Sequence, residues 1–597
     1  MDLDEAQMRA ATHSGPRAAI VIAGPGSGKT RTLIGRHLHL HGIGVPREAI
    51  LISTFTVKAA QEVRARLVEA HGDIPETELR RMFVGTFHGL CVRLLRQFHA
   101  SAGLPKDFEI VDTEGQIAIL KDTGLAWQGE YPDLVDMISR WKDRLVSPLE
   151  AAAEAARHQT PDLVAAAEIY RAYEDELVRR GACDFPRLII ATIKAANYDE
   201  NVRSYLQGRF RHILVDEFQD TNRLQIALLE AMVGQGGNLW VVGDDDQALY
   251  GWRGADVRYA TDFSRRFRGG VRYVLDRNYR STPAVVAAAN AVVTVNTVRV
   301  PKTIVPMVRG DDGDGVSISG FGDDREEAAA VARAVARRIR GGVPPRDIAV
   351  LFRSGSLAPV VQTALAREKV PVRLSGIGSF WTLPEVRLFV SVLRVASGSA
   401  SKEEREILEK HPRKRQIASF LHTMKGSPLA SVAEPASNLV ANLVPEGLPP
   451  DRTGLWIEAA QQAAIEAAES AGYADFFEHV DASAGSSNAA EGEEAVVLST
   501  IHAAKGLEWS VVFVVGAELS MLPHHKSTDV EEERRLLYVA VTRAMRQCFV
   551  SYAEERFARS QSASPFLFEM ADRCDPGFRI GWRNRPARAT PLPAEGV

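Results

Sequence analysis

Short unbroken apolar runs alternate with segments of helical spacing along the first hundred residues of the chain. Ala18–Ala23 (AAIVIA) and Ile50–Phe55 (ILISTF) are apolar stretches rich in β-branched residues and bounded by turn or polar residues, which predicts buried parallel strands. Arg31–His41 and Lys58–Ala70 carry apolar residues at helical spacing and predict the intervening helices. Between about 104 and 200 the pattern changes: Leu149–Arg157 and Leu163–Arg179 are rich in Ala, Glu and Arg, predicting a helical insertion. Strands return at His212–Val215 and Leu239–Val242. A second alternating region begins near Ser281, with strands expected at Val316–Ser319, Ile348–Phe352, Val496–Thr500, Val511–Val515 and Phe549–Tyr552. A second insertion interrupts it. This insertion holds a basic cluster (Lys410, Arg413, Lys414, Arg415), read as a solvated charge run, and ends in a Ser/Ala/Gly-rich linker, Asp481–Ala490. The expected architecture is α/β. One sheet spans 1–103 and 201–280, with 104–200 inserted. The other spans 281–389 and 491–575, with a short insertion at 390–490, and a loose Pro/Arg-rich tail covers 576–597.

Composition narrows the class. The 597 residues are 45% hydrophobic and 25% charged, ordinary for a globular enzyme. A formal net charge of −4 excludes a globally basic surface, so any polyanion groove must be local. Cys91, Cys183, Cys548 and Cys574 are scattered, which argues against a zinc ribbon or an iron–sulfur cluster and fits a reducing, cytoplasmic setting. The acidic N-terminus has no signal-peptide pattern, and no apolar run is long enough to cross a membrane.

Candidate chemistry begins where the first strand ends. Ala23, Gly24, Pro25, Gly26, Ser27, Gly28, Lys29 and Thr30 form a glycine-rich turn between a strand and a helix. Glycines let successive backbone N–H groups curl around phosphate oxygens, and the helix N-terminus adds its dipole. Lys29 would reach the β- and γ-phosphates of ATP, and the Thr30 hydroxyl would coordinate Mg²⁺. Ala23 stands where the first glycine of this pattern usually sits. Asp216 and Glu217 follow the apolar run ending at Val215 and supply an acidic pair at a strand end. Asp216 would hold Mg²⁺ and Glu217 would orient or deprotonate the attacking water.

Val215-Asp-Glu-Phe-Gln-Asp-Thr-Asn222 resembles the second motif of superfamily 1 helicases of the UvrD/Rep/PcrA branch. Further motifs resemble that family in order: Thr54–Ala60, with Val57 where the family usually has Asn; Gly85–His88; Val242–Gly254; Asn278–Ser281; Thr500–Glu508; and Leu537–Ala544. The resemblance spans about 1–570 and implies two RecA-like P-loop NTPase domains. It implies that Gln7 reads adenine, Tyr279 stacks on it, Arg31 lies beside it and Glu508 bonds the ribose. It also implies that Gln247 senses the γ-phosphate and that Arg253 links its motif to the nucleotide. Arg280 and Arg543, both taken to lie with the second sheet, would act as arginine fingers across a cleft. For a nucleic-acid track, Phe55, Tyr250 and Trp252 offer aromatic faces for bases, with His88, His502 and Lys505 near phosphates.

The expected function is an ATP-dependent DNA helicase moving 3′→5′ on single-stranded DNA, with single-stranded DNA and ss/ds junctions as partners; the polarity comes from the resemblance. Two alternatives are a translocase that strips proteins from DNA, suggested by the short second insertion, and a subunit of a nuclease or defence complex. A helicase–nuclease fusion is not expected, since about 50 residues follow Ala544, too few for a nuclease domain of usual size.

Overall fold

The computed structural model describes residues 2–15, 17–72, 74–75, 78, 81–158, 160–233, 238–310, 315–376, 380–445, 450–485, 494–557, 559–575, 577–578 and 580–586. The chain forms two compact units, Met1–Val286 with Asn296–Arg309, and Ala287–Val295 with Gly310–Val597.

The sheet of the first unit contains β1 (Ala19–Ala23), β2 (Ile50–Ser53), β3 (Phe83–Gly85), β4 (His212–Val215), β5 (Asn238–Gly243) and β6 (Val271–Leu275). Its order is β3-β2-β4-β5-β1-β6, and every pairing is parallel. Strands β1 and β2 are buried along their whole length because helices cover both faces, which is why they read as continuous apolar runs. β2 stops at Ser53, so Phe55 is released into the loop beyond the expected strand. The parallel arrangement puts the carboxyl ends of β1, β4 and β5 along one edge, the usual place for a ligand in such a sheet.

The first insertion is helical, with Thr113–Asp122, Tyr131–Asp143, Pro148–His158 and Pro161–Arg180 around a separate core that includes Leu134, Trp141 and Tyr170. Lys142 is buried there. It is paired with Glu174 and, at 2.5 Å, with Asp184, whose carboxylate also accepts from the Tyr173 hydroxyl at 3.0 Å. The next helix, Phe185–Tyr198, belongs to a different core: Leu188 and Ile189 cluster with Ile20, Ile22 and Leu51 of the sheet. Asp184 caps this helix by accepting from Arg187 N–H. One buried carboxylate thus ties the insertion to a helix fixed on the first sheet.

The sheet of the second unit contains β7 (Gly315–Phe321), β8 (Ile348–Phe352), β9 (Val372–Ser375), β10 (Val496–Thr500), β11 (Trp509–Val515), β12 (Ala544–Ala553) and β13 (Gly581–Arg583). Its order is β9-β10-β8-β11-β12-β7-β13, again all parallel. Helices from Pro384–Ser397 to Tyr473–Gly485 form the second insertion around Phe389, Leu393, Val432, Ala463 and Phe476.

Three expectations change. Residues 281–286 and 296–309 belong to the first unit, not the second. The tail is ordered at β13, which pairs with Ser317–Ser319, while the Tyr552 hydroxyl donates to Asn584 O at 2.8 Å; residues 587–597 lie outside the described residues. The expected linker is helical from 481 to 485, and 486–493 lie outside the described residues. Among the described residues, no helix is long and apolar enough to cross a membrane.

A histidine pair predicts a pH-dependent stability. His37 and His41 on Lys29–Gly42 face His71 at the end of Val57–His71, and His71 Nε2 lies 3.1 Å from His37 Nδ1. Burial, then the neighbouring His71, His41 and Arg47, lowers His37 to about 3 from an ordinary 6.5. The unfolded chain therefore takes up this proton first as pH falls. The stability from neutral His37 is present above 6.5 and is lost progressively below it, by about 2 kcal/mol between pH 7 and pH 5. Urea unfolding at the two pH values should show this loss, and His37→Gln should remove that share of the pH dependence.

Candidate nucleotide and nucleic-acid site

The loop after β1 is shaped by two left-handed glycines, Gly26 (φ 65°) and Gly28 (φ 81°), the second being the N-cap of Lys29–Gly42. Ser27 Oγ donates to Gly24 O at 2.7 Å and closes the turn. Lys29 Nζ rests 3.4 Å from Ala23 O, a weak contact that leaves the ammonium able to swing to another acceptor.

Four side chains close on this loop from outside. Asn278 Nδ2 donates to Pro25 O at 2.7 Å, while its Oδ1 accepts from Arg280 N and Ser281 N. A Cβ at Gly26 would overlap Asn278 and Arg280, and one at Gly24 would overlap Ile304. Arg280 is therefore part of the first unit, beside the loop, rather than an element of the second sheet; the strand pairing of Arg277–Asn278 with Val305–Pro306 holds it there. Gln7 is the fourth, donating to Ser27 O at 2.9 Å and accepting from Asp4 N at 3.0 Å. Its amide keeps one N–H and one lone pair for a further partner. Nearby, the Tyr279 hydroxyl donates to Asp4 at 2.6 Å and its ring is 44% exposed. Arg31 is exposed on the first turn of the helix that starts at Lys29.

At the end of β4, Asp216 is buried and Glu217 adopts a left-handed backbone (φ 51°), which is unusual for a residue with a side chain. Burial, then the charge of Glu217, pushes Asp216 up to about 7, and Lys29 opposes the shift. Two carboxylates crowded beside a single ammonium fit a divalent cation held by Asp216 and the Thr30 hydroxyl.

A hydrogen-bond relay links this pair to the end of β5. Gln219 donates to Glu217 and accepts from Asp244 N at 2.9 Å, and Asp244 accepts from the Gln247 amide at 2.6 Å. Gln247 is buried. The carboxylates of Asp244, Asp245 and Asp246 converge closely enough to hold a metal, but Lys302 Nζ stands among them at 3.3, 2.7 and 2.5 Å. The cation of this cluster is the protein's own ammonium.

A cleft of about 490 Å³ opens beside Asp216 and Glu217. Phe55 and Tyr250 stack along it at 5.2 Å between ring centroids, and His88 meets Phe185 edge-on at 5.6 Å. Trp252 is 53% exposed in the same cleft, with the Arg253 guanidinium 4.6 Å from its ring centroid. The lining also carries Asp136, Asp143 and Asp220; burial pushes Asp143 up to about 7 although Asn222 hydrogen-bonds it. Phe185, Gln219, Asn278 and Lys302 play parts here that sequence reasoning missed.

His502, Lys505, Glu508 and Arg543 lie on the second unit. There Arg543 is buried at the end of Val530–Thr542 and donates to Leu507 O at 3.1 Å, beside the exposed Glu508.

A phosphate loop, an acidic pair and a relay on the strand between them define a P-loop nucleoside triphosphatase. The model for the UvrD/REP helicase N-terminal domain matches residues 3–268, and the UvrD-like helicase C-terminal domain matches 273–420 and 457–555. The chain is 31% identical to DNA helicase II of Escherichia coli (strain K12), covering 94% of this chain and 86% of that protein. It is 30% identical to DNA helicase II of Haemophilus influenzae over the same shares. It is 28% identical to the ATP-dependent DNA helicase PcrA of Staphylococcus aureus, over 93% and 84%. The chain belongs to the UvrD/REP helicase family.

Proposed function

We propose that this protein hydrolyses ATP to move 3′→5′ along single-stranded DNA and to unwind duplex from ss/ds junctions. One observation carries the reading: Asp216 and Glu217 line the same cleft as Phe55, Tyr250 and Trp252, so the hydrolytic pair and the aromatic faces share one cavity.

In this reading the loop N–H groups and Lys29 bind the phosphates, and Gln7, Tyr279 and Arg31 take the base. Glu508 serves the ribose. Mg²⁺ held by Thr30 and Asp216 would offset phosphate charge. Glu217, fixed by Gln219, accepts the proton of the attacking water as the bond to the γ-phosphorus forms and the β–γ bridge breaks. Gln247 senses the γ-phosphate, and the relay through Asp244 makes its position felt at Glu217. Arg280 and Arg543 supply positive charge to the transferring group.

The aromatic cleft suits bases better than phosphates, since Asp136, Glu217 and Asp220 would repel a backbone laid directly on them. Bases facing Trp252 and the Phe55–Tyr250 stack leave the backbone to His88, His502 and Lys505. Trp252→Ala should weaken single-strand binding by about 1–3 kcal/mol, roughly 5- to 150-fold. Fluorescence anisotropy with an oligothymidylate checks it, and affinity within twofold of wild type would remove Trp252 from the track.

Strand displacement tests the function. A duplex with a 3′ single-stranded tail should be unwound with ATP and a 5′-tailed duplex should not; unwinding of the 5′-tailed substrate alone would refute the polarity.

A further inference from the structure

Residues 296–309 form a strap that belongs to the first unit, although the chain on either side of it, 287–295 and from Gly310 onward, belongs to the second. The strap touches the nucleotide machinery at three places. Ile304 sits against Gly24 of the phosphate loop. Val305–Pro306 pair with Arg277–Asn278, and Asn278 clamps Pro25. Two residues before Ile304, Lys302 enters the acidic cluster at the end of β5.

That cluster is closed to solvent: Asp244, Asp245 and Asp246 are fully buried, as is the Lys302 side chain. Asp245 accepts from Val300 N at 2.6 Å, and Asp246 accepts from Arg299 Nε and Nη2 at 2.9 and 2.7 Å. Asp244 lacks such a strap hydrogen bond; the nearest strap cation is Lys302 at 3.3 Å. Asp244 is also the member that holds the Gln247 amide and, through its backbone N–H, Gln219 on Glu217. The buried Asp244 carboxylate is held by the Lys302 ammonium, by the Gln247 amide and, at 3.3 Å, by the Asp246 N–H, and loss of the ammonium removes the charge that offsets its own and loosens it.

We infer that Lys302 is a positioning residue for ATP hydrolysis: its ammonium fixes Asp244, and Asp244 sets Gln247 and Glu217 for reaction. The inference rests on the reading that Glu217 and Gln247 act on the γ-phosphate.

The test is steady-state ATP turnover with saturating single-stranded DNA for Lys302→Met and for the double variant Lys302→Met/Asp245→Asn, with unfolding midpoints of both. The wild-type cluster sets three carboxylates against two cations, and the double variant sets two against one, so the formal charge is unchanged. Lys302→Met should lower kcat by at least about tenfold, with the KM for ATP and the DNA affinity within about threefold. The double variant should recover the unfolding midpoint but not kcat, and it answers the question alone if the single variant does not fold. Recovery of kcat together with stability, or a kcat within twofold of wild type in Lys302→Met, would overturn the inference. Glu217→Gln and Gln247→Ala run alongside. Wild-type turnover in those two would overturn the reading of the hydrolytic site instead, and the inference with it.

Discussion

Glu217→Gln should reduce DNA-stimulated ATP turnover by about 10²–10⁴-fold while leaving ATP binding nearly intact. The substitution keeps the size of the side chain and a partner for Gln219, so the relay to Asp244 survives. What it removes is the carboxylate that, in the proposed mechanism, takes the proton of water. The left-handed backbone at Glu217 points to a carboxylate held for a task, since a side chain there costs about 1–3 kcal/mol. Binding of a fluorescent ATP analogue and turnover, measured on the same preparation, separate the two effects. Turnover within tenfold of wild type would show that another group activates the water.

Arg543→Ala should be as damaging or more so, lowering kcat by about 10³–10⁵-fold. The guanidinium is already ordered: Nε donates to Val539 O at 3.1 Å, Nη1 to Leu507 O at 3.1 Å and Nη2 to Thr542 Oγ1 at 3.2 Å. An arginine fixed in this way meets a developing charge with little reorganisation. Its loss also frees the Leu507 carbonyl, so ribose contact through Glu508 should weaken and the KM for ATP should rise modestly. A thermal unfolding curve on the same variant excludes a folding defect. If kcat stayed within tenfold and only KM rose, Arg543 would be a binding residue rather than a source of charge for phosphoryl transfer.

Much of this site is legible in the sequence because its parts sit where strands end. Lys29 follows the apolar run of β1, and Asp216 and Glu217 follow that of β4; strand, turn and residue type agree within a few positions. The parallel order then brings those ends to one edge. Other parts depend on contacts between distant segments. Lys302 is a single lysine between Pro301 and Thr303, in a stretch without period, and its partners Asp245 and Asp246 lie 57 and 56 residues away. Phe185 reads as the ordinary first residue of a helix, yet packing of Leu188 and Ile189 against the sheet brings its ring into the cleft. Its order in the chain points Arg280 towards the second sheet, but the clamp of Asn278 on Pro25 keeps it on the first. Among the strands, β6 and β13 are hard to read from the sequence because VRYVL and GWR alternate exposed with half-buried positions and each carries an exposed arginine, as edge strands do. β3 is only three residues long.

Movement of this protein in one direction along single-stranded DNA, driven by ATP hydrolysis, can be followed at the ends of the strand. Displacement of streptavidin from end-biotinylated oligonucleotides measures this without requiring a duplex to be opened. With ATP, the protein should clear streptavidin from the 5′ end much faster than spontaneous release, leave the 3′ end near the spontaneous rate, and do neither as Glu217→Gln. Displacement from the 3′ end alone, or none from either end while DNA still stimulates ATP turnover, would contradict it.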